Sequence, residues 1–166
     1  MRMINQENAE GSLVGCNHYQ EWLLPWWWQG YLTHNHYPVA FADFGMSERA
    51  KAWCRQRGEL ISLNLTCDFI TPKEQIDDAR IQMWSQIYSS NLWPSRSSWF
   101  KKPFALLQAP FKSAIWIDLD CEIHGCLAPL FEYCDNPCGI AVAQEFDFVQ
   151  EKERSVGLIL HARLDA

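Results

Sequence analysis

Short apolar runs alternate with segments of helical periodicity in the first 65 residues. Three of these runs, each closed by turn-forming residues, are predicted strands: 12–17, 38–45 and 59–65. Four apolar residues at helical spacing predict a helix between the first two strands: Leu24, Trp27, Trp28 and Tyr31. Ser47 is a suitable N-cap for a second helix, and Gly58 predicts its C-terminal end. This β-α-β-α-β order with short connections predicts an α/β fold, a parallel sheet flanked by helices.

The rest of the chain predicts three more helices and two more strands. The helices are expected over 72–88, in a segment interrupted or started at Pro103, and over 127–135; the strands are expected over 113–123 and 139–144. Thr71 and Glu74 form a capping box that marks the start of the first of these helices. Because the sequence contains no repeat or linker, one domain is expected over 12–166, preceded by a disordered polar tail over 1–11.

The predicted strand 113–123 changes from apolar to acidic after Ile117. Asp118 and Asp120 then lie at its carboxyl end, separated by one residue. Side chains two residues apart on an extended chain point the same way, so both carboxylates could reach one hard cation. Ligands of parallel α/β sheets bind outside the carboxyl ends of the strands. The pair therefore predicts a Mg²⁺ or Mn²⁺ site, against the alternative of a solvated strand end.

Charge and aromatic content narrow the choice of partner. The formal net charge is −6, which argues against a nucleic-acid partner, because phosphate neutralisation needs clustered cations. A phosphate-bearing ligand would therefore need a metal or a local basic group. Nine tryptophans are present, five of them at or before Trp53. Such density suits core packing, sugar stacking or a partner interface, including self-association through a Trp-rich surface.

Neither a membrane span nor a cysteine framework is predicted. Residues 22–42 carry no charge, but prolines and polar residues interrupt them well before the ~18 apolar residues that a spanning helix needs. The polar N-terminus lacks a signal-peptide core, so a cytoplasmic protein is expected, with peripheral membrane contact as a variant. The seven cysteines include no CxxC pair and predict reduced thiols. Four thiolates can form a structural zinc site, but the irregular spacing of the last four cysteines favours ordinary buried thiols: Cys121, Cys126, Cys134 and Cys138.

Around the acidic strand end the sequence resembles a known family. WIDLDCEIHGCLAPLF is similar to the D-x-D strand and following helix of GT-A nucleotide-sugar glycosyltransferases, close to glycosyltransferase family 8 and its relatives. WFKKPFALLQAPFKSAIWIDLD resembles the helix that carries a sugar-contacting lysine in that family. Residues 17–45 resemble its first nucleotide-binding strand, first helix and second strand. The resemblance covers roughly 12–147 and implies a GT-A, Rossmann-like sheet.

The resemblance also implies roles for individual residues. Asp120 would bind Mn²⁺, and Asp118 would contact both the metal and the ribose of the donor. Lys102 would contact the donor sugar or its diphosphate, whereas its neighbour Lys101 would be solvated. Cys16 and Asn17 fall at the end of the first strand, where such enzymes bind the nucleotide. No residue qualifies as a catalytic base, so the catalytic residue stays unassigned.

The function implied is metal-dependent transfer of a sugar from a nucleotide-diphosphate donor, expected to be a UDP-sugar, to an unknown acceptor. The family's catalytic domain normally continues beyond the strand predicted over 139–144, whereas this sequence ends about twenty residues later. A truncated, inactive donor-binding half is therefore expected. His161 lies in this last segment but matches no family motif. The alternative is a non-catalytic module that binds a nucleotide sugar or pairs with a partner through its tryptophans.

Overall fold

The computed structural model describes residues 10–64, 71–88, 92–147 and 152–162. The strands within these ranges form one six-stranded sheet: β1 (Glu10–Cys16), β2 (Val39–Asp43), β3 (Glu59–Ser62), β4 (Ser113–Ile117), β5 (Ile140–Asp147) and β6 (Lys152–Ala162). Their spatial order is β3-β2-β1-β4-β6-β5. The first four in this order are parallel, and β6 runs antiparallel to both of its neighbours. The predicted α/β sheet is therefore confirmed.

The helices cover both faces of the sheet: α1 (Leu24–His34), α2 (Glu48–Arg55), α3 (Asp78–Tyr88), α4 (Leu92–Leu107) and α5 (Ala128–Phe131). Alternate residues of β1 belong to different cores, because successive side chains of a strand point to opposite faces. Val14 packs with residues of α1, α2 and α5, whereas Leu13 packs with residues of α4. Burial on both faces explains why these strands read as continuous apolar runs.

Ser47 and Gly58 lie at the two ends of the second helix, as predicted, but Gly58 has a different role from the predicted one. Ser47 caps α2, and its Oγ accepts a hydrogen bond from the backbone N–H of Ala50 at 3.2 Å. Gly58 follows α2 but does not adopt the left-handed conformation of a helix-stopping glycine. A Cβ at this position would instead collide with the carbonyl oxygen of Val39 in β2. A glycine is therefore required at position 58, because the backbone of β2 leaves no room for a side chain.

The helix predicted over 72–88 begins later than its sequence indicated. Pro72 is extended, with ψ 148°, and a single 3₁₀ turn follows over Lys73–Gln75. Ile76 is extended again, and Asp77 opens α3 by accepting a hydrogen bond from the backbone N–H of Arg80 at 2.9 Å. The capping box prediction is wrong because this aspartate supplies a later side-chain cap. In α4, by contrast, Pro103 lies inside a continuous helix.

The ends of the sheet also differ from the sequence interpretation. β1 begins at Glu10, so the last two residues of the tail predicted over 1–11 belong to the sheet, and residues 1–9 lie outside the described ranges. No strand was predicted over Lys152–Ala162, yet β6 lies between β4 and β5 and pairs with both. Within the described ranges, no helix is long and apolar enough to cross a membrane.

The N-terminal tryptophans divide between the core and the surface. Trp27 is only 1% exposed and stacks on Tyr31, with ring centroids 5.1 Å apart. Trp22 and Trp26 are 73% and 48% exposed. Core packing therefore explains only part of the tryptophan cluster, and self-association through the exposed part stays a prediction.

Candidate functional site

The candidate site lies where β1 and β4 end. The two strands are parallel neighbours, with Leu13 opposite Trp116, so Asn17 and Asp118 follow them at the same carboxyl edge of the sheet. Asn17 and Asp118, each predicted at the end of its own strand, therefore share one edge of the sheet. This is the edge at which open α/β sheets bind their ligands.

Lys102 and Asp118 form an ion pair at this edge. The Nζ atom of Lys102 lies 2.6 Å from Oδ1 and 2.8 Å from Oδ2 of Asp118, so it contacts both carboxylate oxygens. Trp116, the buried residue two positions earlier on β4, donates its indole N–H to Oδ1 at 2.7 Å. The side chains of Lys102 and Asp118 are 21% and 28% exposed. Both residues could be selected from the sequence, but their contact could not be predicted from it.

Asn17 connects the end of β1 to α4. Its side-chain N–H donates to Ser98 Oγ at 3.0 Å, and its side-chain oxygen accepts from the backbone N–H of Tyr19 at 3.0 Å. Asn17 and Ser98 are both buried. Ser98 and Lys102 are four residues apart on α4 and therefore lie on the same face of that helix. One helix face thus contacts the ends of two neighbouring strands. Sequence reasoning missed Ser98, although its spacing from Lys102 was available as a signal.

Cys16 is enclosed by the core next to α1 and α2. Its side chain is fully buried, and burial, followed by the nearby Cys54, Glu21 and Asp43, raises the pKa of its thiol far above the ordinary value. Its backbone carbonyl accepts from the N–H of Phe44 at 3.0 Å. The Cys16 thiol is buried and cannot contact a donor at the sheet edge, so only the backbone of Cys16 could do so.

The D-x-D residues form a turn. β4 ends at Ile117, and the backbone N–H of Cys121 donates to the carbonyl of Asp118 at 3.0 Å. The prediction of an extended strand through residue 123 is therefore wrong. Leu119 is 4% exposed, and its burial in the core helps to hold this turn. Asp118 is half-buried beside Lys102, whereas Asp120 is exposed. We refer to residues 118–121 as the D-x-D turn.

The D-x-D turn offers two carboxylates, Asp118 and Asp120, to a metal ion. Across the described ranges, no group of three or more His, Cys, Asp and Glu side chains is arranged to hold a metal ion. Mg²⁺, however, is usually bound by one or two carboxylates together with substrate phosphates and water. Asp120 fits this role as an exposed carboxylate, and Asp118 fits it if Lys102 releases one of its oxygens. The four cysteines weighed for zinc are not gathered: Cys134 is buried, and Cys126 and Cys138 are exposed.

Two other carboxylates near this edge have structural roles. Asp43 accepts from the backbone N–H groups of Gly45 and Met46, both at 2.8 Å, and pairs with Lys51 at 3.1 Å. Glu21 accepts from the N–H and hydroxyl of Ser47 at 2.8 and 2.6 Å. Burial opposes the charge of each carboxylate, but these hydrogen bonds and nearby cations outweigh it and lower the pKa of both groups. They fix the loops that follow β1 and β2.

Comparison with known proteins shows which solved structures share this architecture. The sequence matches no protein-family model and no curated protein. The structure is similar to the glycosyltransferase GlyE of Streptococcus pneumoniae TIGR4, with a TM-score of 0.50 and 14% sequence identity over 93% of this chain. It is also similar to the galactosyltransferase LgtC, solved in complex with donor and acceptor sugar analogues, with a TM-score of 0.50 and 13% identity over 92% of this chain.

The similarity extends over only part of each neighbour. This chain spans 34% of the length of GlyE and 57% of the length of LgtC. At such low identity the similarity concerns the arrangement of strands and helices, not individual side chains. The chain has the α/β fold of these glycosyltransferases, a mostly parallel sheet flanked by helices, as the resemblance of its sequence implied.

Proposed function

We propose that this chain binds the nucleotide-sugar donor of a glycosyltransferase reaction, with a UDP-sugar as the donor. One observation carries the proposal. Lys102, a half-buried cation, is held at the carboxyl edge of β1 and β4 by Asp118, the first aspartate of the D-x-D turn, in a fold shared with two glycosyltransferases.

The charges at the edge suit a diphosphate only together with a divalent cation. The protein carries a net charge of −6, so a nucleotide diphosphate would be repelled unless local cations offset it. Asp118 holds the Lys102 ammonium in a fixed position with two contacts, but it also neutralises that charge, so a divalent cation would have to supply the net positive charge. When a donor binds, the ammonium can exchange one of these contacts for a phosphate oxygen, a charge-assisted hydrogen bond of the stronger kind. Stabilising the charge that develops on a leaving diphosphate would assist sugar transfer.

Asp120 and Asp118 would hold a divalent cation, Mn²⁺ or Mg²⁺, which would act as a Lewis acid toward the diphosphate. Asp118 then has two functions, since it also positions Lys102. Asn17 and Ser98 form the buried connection between β1 and α4, and we assign them the role of keeping Lys102 beside the strand ends. We assign no catalytic base.

The experiment is a calorimetric titration of the full chain with UDP, with and without Mn²⁺. UDP should bind more tightly when Mn²⁺ is present. Lys102→Met should weaken UDP binding about tenfold or more, since a hydrogen bond to a charged group is lost. Lys101→Met, which removes a charge of the same sign one residue away, should change it far less. Asp120→Asn should remove the effect of Mn²⁺, whereas Asp135→Asn, at another exposed aspartate, should preserve it.

Binding of UDP that is independent of Mn²⁺ and unchanged in Lys102→Met would refute the proposal. Transfer itself is measured separately with a radiolabelled UDP-sugar and pooled acceptors, with donor hydrolysis as the control. Binding without transfer would favour a nucleotide-sugar-binding module.

A further inference from the structure

Trp116 lies on β4, two residues before the first aspartate of the D-x-D turn. Its side chain is 1% exposed, and its ring stacks on Phe44, with ring centroids 5.9 Å apart and an angle of 16° between the ring planes. A Cβ at Gly15, on the neighbouring strand β1, would lie 2.9 Å from the Trp116 indole, so a glycine leaves room for this ring. Burial, stacking and close packing therefore hold the indole in one orientation.

The indole N–H and Lys102 both donate to one oxygen of Asp118. The Nε1 atom of Trp116 lies 2.7 Å from Oδ1, and the Nζ atom of Lys102 lies 2.6 Å from the same oxygen. A carboxylate has about four lone-pair sites, two on each oxygen. Both sites of Oδ1 therefore have a donor. Oδ2 accepts from Lys102 at 2.8 Å, and no second donor to Oδ2 lies among the described residues.

The two oxygens of Asp118 are thus not equivalent. Oδ1 is bound by a donor that is held in place, because Trp116 belongs to the core between the sheet and α4. Oδ2 keeps one lone pair, and its one described contact is with a lysine, whose flexible side chain can move. We propose that Trp116 is a positioning residue, which keeps Oδ1 with the protein and presents Oδ2 to the divalent cation of the donor. This inference rests on the proposed function, since it concerns the same site.

Trp116 also fixes the place of Lys102. The Lys102 ammonium lies over the indole ring, 5.8 Å from its centroid, which is within the range of a cation–π contact. Trp116 therefore contacts Asp118 through its N–H and Lys102 through its ring face. If Lys102 releases Oδ2, the ring and Oδ1 still hold the ammonium at the strand ends, where it can donate to a phosphate oxygen. One buried side chain thus positions both charges of the candidate site.

The test replaces Trp116 in the full chain by benzothienylalanine, which has the shape of tryptophan but carries a sulfur atom in place of the N–H. Trp116→benzothienylalanine removes the donor and preserves the packing of the core. Trp27→benzothienylalanine is the matched control, because Trp27 is also 1% exposed and its Nε1 has no acceptor among the described residues. Calorimetry gives the ratio of the UDP dissociation constants measured without and with Mn²⁺. The Trp116 variant should lower this ratio about tenfold, since a hydrogen bond to a charged group is lost, and the control should preserve it.

A second measurement reports the hydrogen bond in the natural chain, by NMR of indole groups labelled with ¹⁵N. The Trp116 resonance is identified by its absence from the spectrum of the Trp116 variant. It should shift in Asp118→Asn, which replaces a charged acceptor by a neutral one. When UDP and Mg²⁺ are added to the natural chain, the resonance should stay closer to its original position than to its position in Asp118→Asn, because Oδ1 stays with the protein.

The outcomes separate this inference from the proposed function. An unchanged ratio in the Trp116 variant, or a resonance that moves on loading to its position in Asp118→Asn, would overturn the positioning role and leave the donor site intact. An equal loss in both variants would also overturn it, because disturbed packing would then be the cause. UDP binding that is independent of Mn²⁺ in the natural chain would refute the proposed function, and the positioning role with it. A loss confined to the Trp116 variant, with the resonance in place, supports the inference.

Discussion

The ion pair between Lys102 and Asp118 should contribute measurably to the stability of the fold. The perturbation is a double-mutant cycle with Lys102→Met, Asp118→Asn and the double variant. Methionine keeps most of the apolar length of the lysine, and asparagine keeps a side-chain oxygen that can accept from Trp116. The cycle therefore isolates the interaction between the two charges more cleanly than alanine variants would.

The magnitude follows from the geometry and exposure of the pair. The Lys102 ammonium contacts both oxygens of Asp118, at 2.6 and 2.8 Å, and the two side chains are 21% and 28% exposed. Exposed ion pairs contribute about 0.2–1 kcal/mol, whereas breaking a buried pair costs about 3–5 kcal/mol. A half-buried pair falls between these limits, so we expect a coupling free energy of about 1–2 kcal/mol, smaller at high salt.

The assay is urea unfolding of the four proteins at neutral pH, followed by far-UV circular dichroism at low and high salt. Both single variants should be destabilised, and the double variant should be less destabilised than the sum of the two. A coupling free energy below about 0.3 kcal/mol, within the usual error of additivity, would contradict the reasoning. It would mean that the two side chains do not hold each other and that Asp118 does not position Lys102.

Three further predictions concern backbone space, pH and thiol reactivity. Gly30→Ala should raise the free energy of unfolding by about 0.5–1 kcal/mol, because alanine favours a helix over glycine and its methyl group would meet no atom within 4 Å. Gly58→Ala should lower the free energy of unfolding by about 1–3 kcal/mol, because its Cβ would collide with the backbone of β2. Equal effects of the two substitutions in urea unfolding would refute this contrast. Hydrogen bonds from the serine that caps α2 outweigh burial and lower the pKa of Glu21, so the stability it contributes is present above its ordinary pKa and is lost as the pH falls toward the folded-state value. Urea unfolding between about pH 3 and pH 6 should therefore show a shallower loss of stability in Glu21→Gln, and an unchanged slope would count against the hydrogen bonds. Burial raises the pKa of the Cys54 thiol to about 12. Iodoacetamide at about pH 8 should therefore label exposed Cys138 and leave Cys54 unmodified until the chain unfolds. Mass spectrometry of the peptides would disprove this if it found both cysteines labelled in the folded protein.

The elements that depend only on neighbouring residues could be predicted from the amino-acid sequence. The first three strands and two helices follow from apolar runs, helical spacing and the cap at Ser47, all of which act within a few residues. The parallel arrangement also followed, because short strand-helix-strand connections leave few other topologies. Lys102, Asp118 and Asp120 could be selected from a motif, although the motif did not describe their contacts.

Tertiary structure decided what depends on residues far apart in the chain. β6 lies between β4 and β5 because strands pair through backbone hydrogen bonds, and no local pattern states which neighbour a strand will choose. Asn17 meets Ser98 across 81 positions of sequence, and Lys102 meets Asp118 only because α4 packs across the ends of β1 and β4. The D-x-D residues form a turn and do not continue β4, and this turn places Leu119 in the core. Burial of distant apolar surface thus converted a predicted strand end into a turn, and that turn positions the charges of the candidate site.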